Sequence, residues 1–124
     1  MSDFGEKSEN LTWLIEALYS CKNKKLNKIA LGIKFDNPVG LAAGFDYDGH
    51  LAKAMKHIGF GFNTVGTVTA KPYEGNTAPR LGRLVKSQSI LVNKGFKSDG
   101  AIKIAKRLDA KKLKGHTIGI SVGS

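Results

Sequence analysis

Three short apolar runs constrain this chain most: Val39-Gly-Leu-Ala-Ala, Phe62-Asn-Thr-Val-Gly-Thr-Val and Thr117-Ile-Gly-Ile-Ser-Val. They are rich in small and β-branched residues and carry no charge, which suits strands covered on both faces, as in parallel sheets with helical crossovers. The intervening segments have helical spacing. Leu51, Ala54, Met55 and Ile58 recur at intervals of three and four, with Asp48 placed to cap the start and Gly59 to end the helix in a left-handed conformation. Ala101, Ile104, Ala105 and Leu108 repeat the pattern, with Ser98 or Asp99 as cap. The order β-α-β-loop-α-β predicts a parallel sheet.

Two further segments precede this core. Leu11, Leu14, Ile15 and Leu18 predict a short amphipathic helix over residues 8–20, capped by Ser8 or Asn10 and ended by the cations Lys22 to Lys25. Its stripe could pack on the domain, cover an apolar site or touch a membrane surface. Ile29 to Phe35 reads as a strand or hairpin broken by Asp36-Asn37-Pro38. The predicted division is a helical segment over 1–28 and an α/β unit over 29–124. Between Thr69 and Val92, Pro72, Gly75, Pro79 and Gly82 predict a long loop, with Ser89 to Val92 as a short strand within it. Loops of that length in a compact domain are usually functional.

The chain has 124 residues, 41% of them hydrophobic, enough for one domain with a modest core. No run reaches the roughly 18 apolar residues of a membrane span, and the first residues lack the basic and apolar regions of a signal peptide. A cytoplasmic location is expected, with peripheral membrane contact through residues 8–20 as the one exception. The net charge of +10 comes mostly from lysines without interleaved aromatics, so a solvated surface is expected rather than a nucleic-acid site. Cys21 is alone, and His50, His57 and His116 lack metal-ligand spacing, so no metal is expected.

Chemistry is concentrated between Asn37 and Gly100. Gly44 and Gly66-Thr67 close the first two buried strands, where a missing Cβ lets a planar ring approach the backbone and a hydroxyl can meet it. Taken in order, Asn37-Pro-Val-Gly-Leu-Ala-Ala-Gly-Phe-Asp, Gly59-Phe-Gly-Phe, Gly66-Thr-Val-Thr, Lys71-Pro-Tyr-Glu-Gly-Asn and Pro79-Arg-Leu-Gly-Arg-Leu resemble the quinone-linked (class 2) dihydroorotate dehydrogenase family over about residues 31 to 124.

The resemblance implies a TIM (β/α)8-barrel that binds FMN at the carboxyl ends of its strands and oxidises dihydroorotate to orotate in pyrimidine biosynthesis, with quinone as the expected electron acceptor. It places Ala43, Gly44, Phe45, Asp46, Tyr47, Thr67 and Ser121 against the flavin. It assigns Tyr47, Asn93, Lys94, Gly95 and Phe96 to the substrate. Two departures stand out. Tyr47 occupies the position of a family lysine, so that Lys94 or Lys97 would have to supply the charge. Ser121 stands where many relatives have asparagine. No residue between Met1 and Ser124 matches the family's catalytic base, which is expected on a later loop, beyond Ser124. Arg80 and Arg83 are expected to form ion pairs that hold the long loop.

A complete barrel takes about 250 residues, and about three of its strands are present. A carboxy-terminal remainder after Ser124 or a second polypeptide is therefore expected to complete it. Two alternatives are a half-barrel binding module without catalysis of its own and a flavin oxidoreductase acting on another cyclic imide.

Overall fold

In a computed structural model of the protein, residues 9–109, 113 and 115–124 are described, with side chains from Leu14 onward. The elements follow in the order α1 (Glu9–Tyr19), a short 3-10 turn (Lys24–Leu26), β1 (Lys28–Ala30), β2 (Ile33–Phe35), β3 (Gly40–Leu41), α2 (Ala52–Ile58), β4 (Phe62–Val68), β5 (Leu81–Leu84), β6 (Ser89–Val92), α3 (Ala101–Arg107) and β7 (Thr117–Val122). The predicted parallel sheet forms with β4 central, in the order β3-β4-β7. Its register pairs Gly40 with Phe62 and Asn63 with Ile118, and both pairings are parallel. The last strand ends at Val122, and Gly123 and Ser124 follow it outside the ladder.

The core lies between this sheet and its two helices. Side chains alternate across a strand, and on β4 Asn63, Val65 and Val68 are buried. Val65 and Val68 pack with Ala52 of α2 and Ile104 of α3, and Leu108, Leu113 and Ile118 lie against the cluster. Truncating Ile104, which is fully buried, would cost roughly 2–5 kcal/mol. The other face carries Thr67 and Ser121, joined by a hydroxyl contact, and Thr64 against Gly119. Strand β3 is shorter than its apolar run predicts. Ala42 and Ala43 are exposed, because only β4 flanks this strand among the described residues.

The helix starts differ from the predicted caps. Asp48 does not cap α2: the Leu51 amide donates instead to buried Asp46 Oδ2 at 3.0 Å. Asp48 Oδ1 accepts from the Asp99 amide at 2.7 Å, tying the loop after β3 to the one before α3. Gly100 occupies the N-cap position of α3, with Ser98 Oγ accepting from its amide at 3.1 Å. Gly59 ends α2 as predicted, at φ 103°.

Two hairpins and α1 flank the sheet. β1 and β2 pair across the turn at Leu31 and Gly32, so the segment from Ile29 to Phe35 is a hairpin. Phe35 meets Phe62 edge to face, closing the amino-terminal end of β4. The predicted strand at Ser89 finds its partner in Leu81–Leu84. Helix α1 begins at Glu9, so Asn10 lies within it, and Ser8 lies outside the described residues. The cations from Lys22 are not in its last turn: Asn23 Oδ1 caps the separate 3-10 turn through the Lys25 amide at 3.0 Å. Leu14 and Leu18 are exposed, and α1 is held to α2 where His57 Nδ1 donates to Glu16 Oε2 at 2.7 Å.

Candidate functional site at the carboxyl ends of the parallel strands

The loops that follow β3 and β4 meet at one end of the sheet because backbone hydrogen bonds continue past the strands. The Gly44 amide donates to Gly66 O at 2.9 Å, and the Gly66 amide donates to Asp46 O at 3.1 Å. This ladder lays residues 43–46 along the end of β4. Gly44 has φ 97°, and a Cβ there would meet nothing within 4 Å, so its backbone faces open space. At Gly66 the reverse holds: a Cβ would lie 2.5 Å from Ser121 O, so β4 and β7 approach closely only without a side chain. One residue later, Thr67 Oγ1 and Ser121 Oγ are 3.1 Å apart. Two hydroxyls far apart in sequence thus form one polar patch at the strand ends.

The aspartate of the Gly-Phe-Asp turn faces inward. Asp46 is 4% exposed and its carboxylate holds the start of α2, so only its backbone is available to a ligand. Phe45 is 63% exposed. Tyr47 is half-buried, with Lys94 Nζ 3.9 Å from its ring centroid. The ammonium beside the Tyr47 ring thus comes from a separate loop.

The segment from Asn93 to Phe96 is tied to the long loop. The Asn93 amide donates to Arg80 O at 3.0 Å and the Asn76 amide to Lys94 O at 2.9 Å. Asn93 Oδ1 accepts from Asn76 Nδ2 at 2.8 Å, and Asn76 Oδ1 accepts from the Tyr73 hydroxyl at 2.8 Å. This leaves Asn93 Nδ2 as a donor without a partner among the described residues. Phe96 reaches the strand ends: a Cβ on Gly123 would lie 2.7 Å from Thr67 Cγ2 and 3.2 Å from the Phe96 ring. Gly95 turns the chain at φ 70°. Thr67, Ser121 and Phe96 are thus gathered at one end of the sheet, with the backbone of 43–46 laid beside them. Tyr47 and Lys94 join the loop after β3 to the segment from Asn93 to Phe96.

Other charges hold the loops. Arg107 donates to Asp99 Oδ2 at 2.8 Å and to Asp48 O, and its guanidinium keeps the Asp99 carboxyl below the ordinary range. Asp48, His50 and Asp99 have ligand-type atoms within 4.8 Å of one another, a grouping that linear spacing did not reveal. Arg107 and the Asp99 amide already engage two of these three side chains. Arg80 does not form the predicted ion pair; its Nε donates to Asn76 O. Sequence reading missed Tyr73 and Asn76, whose amide chain exists only once the loop has folded back.

Two hollows lie at the opposite end of the strands, lined in one case by Cys21, Leu26, Pro38, Val39, Ile58 and Phe60 and in the other by Glu16, Lys22, Asn27, Lys56 and His57. The carboxyl end is an open surface because three strands do not enclose it. No helix among the described residues is long and apolar enough to cross a membrane.

A family model for dihydroorotate dehydrogenase matches residues 25–124. Similar proteins include a dihydroorotate dehydrogenase (quinone) of Rhodopseudomonas palustris (strain HaA2), 44% identical over 102 residues, which are 82% of this chain and 28% of the relative. One from Sphingopyxis alaskensis is 41% identical over 127 residues, covering 97% of this chain and 36% of that relative. Among solved structures, DHODH of Eimeria tenella in complex with ferulenol superposes with a TM-score of 0.71 at 32% identity, over 100% of this chain and 36% of that one. The chain spans about a third of the length of these relatives. With the matched residues running through every segment of the site, the chain belongs to the dihydroorotate dehydrogenase family.

Proposed function

We propose that residues 29–124 form the first part of a TIM (β/α)8-barrel that, when complete, oxidises dihydroorotate to orotate with FMN, and that residues 1–28 are a helical segment beside it. The observation that carries this reading is the meeting of Gly44, Thr67, Ser121 and Phe96 at the carboxyl end of a parallel sheet, where barrel enzymes build their sites. The residues fit a flavin: the Gly44 backbone faces open space, and the hydroxyls of Thr67 and Ser121 offer donors and acceptors to a ring edge.

Bound FMN would supply the two-electron acceptor for the reaction. The chain's own residues bind and orient. Ala43, Gly44, Phe45 and Asp46 present backbone to the flavin, and Thr67 and Ser121 present hydroxyls. Asn93 Nδ2 donates to a substrate oxygen while Asn76 fixes its amide plane. Gly95 and Phe96 wall the substrate side, and Phe96 helps to exclude water from Thr67. No group gathered at this site is placed as a base, and the one that takes the substrate proton is expected beyond Ser124.

The relatives' names support quinone as electron acceptor. On α1, exposed Leu14 and Leu18 support peripheral contact with an apolar surface. Val122, 78% exposed, and Ile120 on β7 support a further partner for the sheet: the carboxy-terminal remainder of the barrel or a second polypeptide. Thr67→Ala and Asn93→Ala test the division of roles in the FMN-loaded holoenzyme containing this chain. Loss of one hydrogen bond is worth about 1 kcal/mol, or roughly fivefold. Thr67→Ala should weaken flavin retention by about that factor, whereas Asn93→Ala should raise KM for dihydroorotate with flavin content unchanged. Equal loss of flavin in both variants would refute the assignment.

A further inference from the structure

Lys94 and Tyr47 come from different loops, and each is anchored independently. The turn after β3 is fixed on one side of Tyr47 by the Asp46 carboxylate on the Leu51 amide, and Lys94 O accepts from the Asn76 amide. The ammonium rests 3.9 Å from the ring centroid, an attraction that holds a flexible side chain in one place without neutralising it. Neighbouring cations are committed elsewhere: Lys97 to Glu74 at 3.7 Å, Arg107 to Asp99 at 2.8 Å, and Arg80 Nε to a backbone carbonyl. Lys94 has no carboxylate partner among the described residues. Beside it in the chain, Asn93 keeps a free amide donor. An unneutralised ammonium and an amide donor on adjacent residues of one loop suit a planar ligand that carries both a carboxylate and a ring carbonyl.

We propose that the Lys94 ammonium binds the substrate's carboxylate and that Tyr47 is a positioning residue, holding that ammonium through its ring. Lys94, rather than Lys97, is then the cation that makes the site selective for an acidic pyrimidine. This rests on the reading of the site as one for dihydroorotate and orotate.

Binding of orotate and of uracil, the same ring without the carboxylate, is followed by the change in flavin absorbance of the FMN-loaded holoenzyme containing this chain. Lys94→Met should weaken orotate about 10- to 100-fold, the scale of a lost charge-assisted hydrogen bond, and change uracil by less than about twofold. Lys94→Arg should recover most of the loss. Tyr47→Leu should weaken orotate more than Tyr47→Phe, which keeps the ring. Equal effects of Lys94→Met on both ligands, or none on either, overturn the inference and leave the functional reading standing. Failure of the wild type to bind orotate sinks the functional reading, and the inference with it.

Discussion

Replacing Asn63 by valine should stabilise the protein. Asn63 lies on β4 opposite Ile118 and is 0% exposed, and neither Nδ2 nor Oδ1 has a hydrogen-bond partner among the described residues. It is on the face that buries Val65. An unsatisfied buried polar group costs roughly 1–3 kcal/mol, and two such atoms sit here on one side chain. Valine removes both and suits a strand, but it is one heavy atom smaller, and the space left behind takes back about 1 kcal/mol. The net expectation is a gain of roughly 1–5 kcal/mol, an upward shift of about 4–20 °C in Tm for a chain of this size. Urea unfolding followed by far-UV circular dichroism checks it: the midpoint should rise with the slope unchanged. Asn63→Asp, which buries a charge at the same place, should lower the midpoint sharply. An Asn63→Val variant less stable than wild type by about 1 kcal/mol or more, the scale of one lost hydrogen bond, would show that the amide has a partner and would refute the reasoning.

Two further expectations concern pH. Lys22 and, after it, His57 hold the Glu16 carboxyl at a pKa of about 2, below its ordinary 4.5. The attachment of α1 to α2 is therefore fully present above about pH 4.5 and lost as pH falls toward 2; in Glu16→Gln, limited proteolysis between α1 and β1 should be faster at neutral pH and no longer depend on acid. Burial, and then Lys56, push the His116 pKa below its ordinary value of 6.5, and its Nε2 has no hydrogen-bond partner among the described residues. The unfolded chain then takes up this proton first, so stability should decline as pH falls below about 6.5. His116→Gln should flatten that part of the curve of urea midpoint against pH, and an unchanged slope would contradict the assignment.

The parallel sheet was legible because β4 and β7 are long, apolar runs flanked by helical spacing, and burial on the helix side enforces their pattern. The β1–β2 hairpin was only half legible: its turn puts Leu31 at φ 51°, a conformation leucine rarely adopts and that no residue preference announces. The partner strand Leu81–Leu84 was hidden by Pro79 and Gly82 on its flank and interior, although its ladder with Ser89–Val92 is regular. The predicted cap at Asp48 failed because a tertiary partner, the Asp99 amide, competes for the same carboxylate. At the site, Thr67 and Ser121 could be named from motifs, but their 3.1 Å contact is a consequence of strand register. The Lys94 ammonium could be named only as one of two candidates, since its place over Tyr47 depends on how two loops cross.

The most direct test of the proposed function is anaerobic addition of dihydroorotate to the FMN-loaded holoenzyme containing this chain. Bleaching of the flavin absorbance in step with orotate formation is expected, with its return when quinone is added. Bound flavin that stays oxidised in saturating dihydroorotate would contradict the assignment.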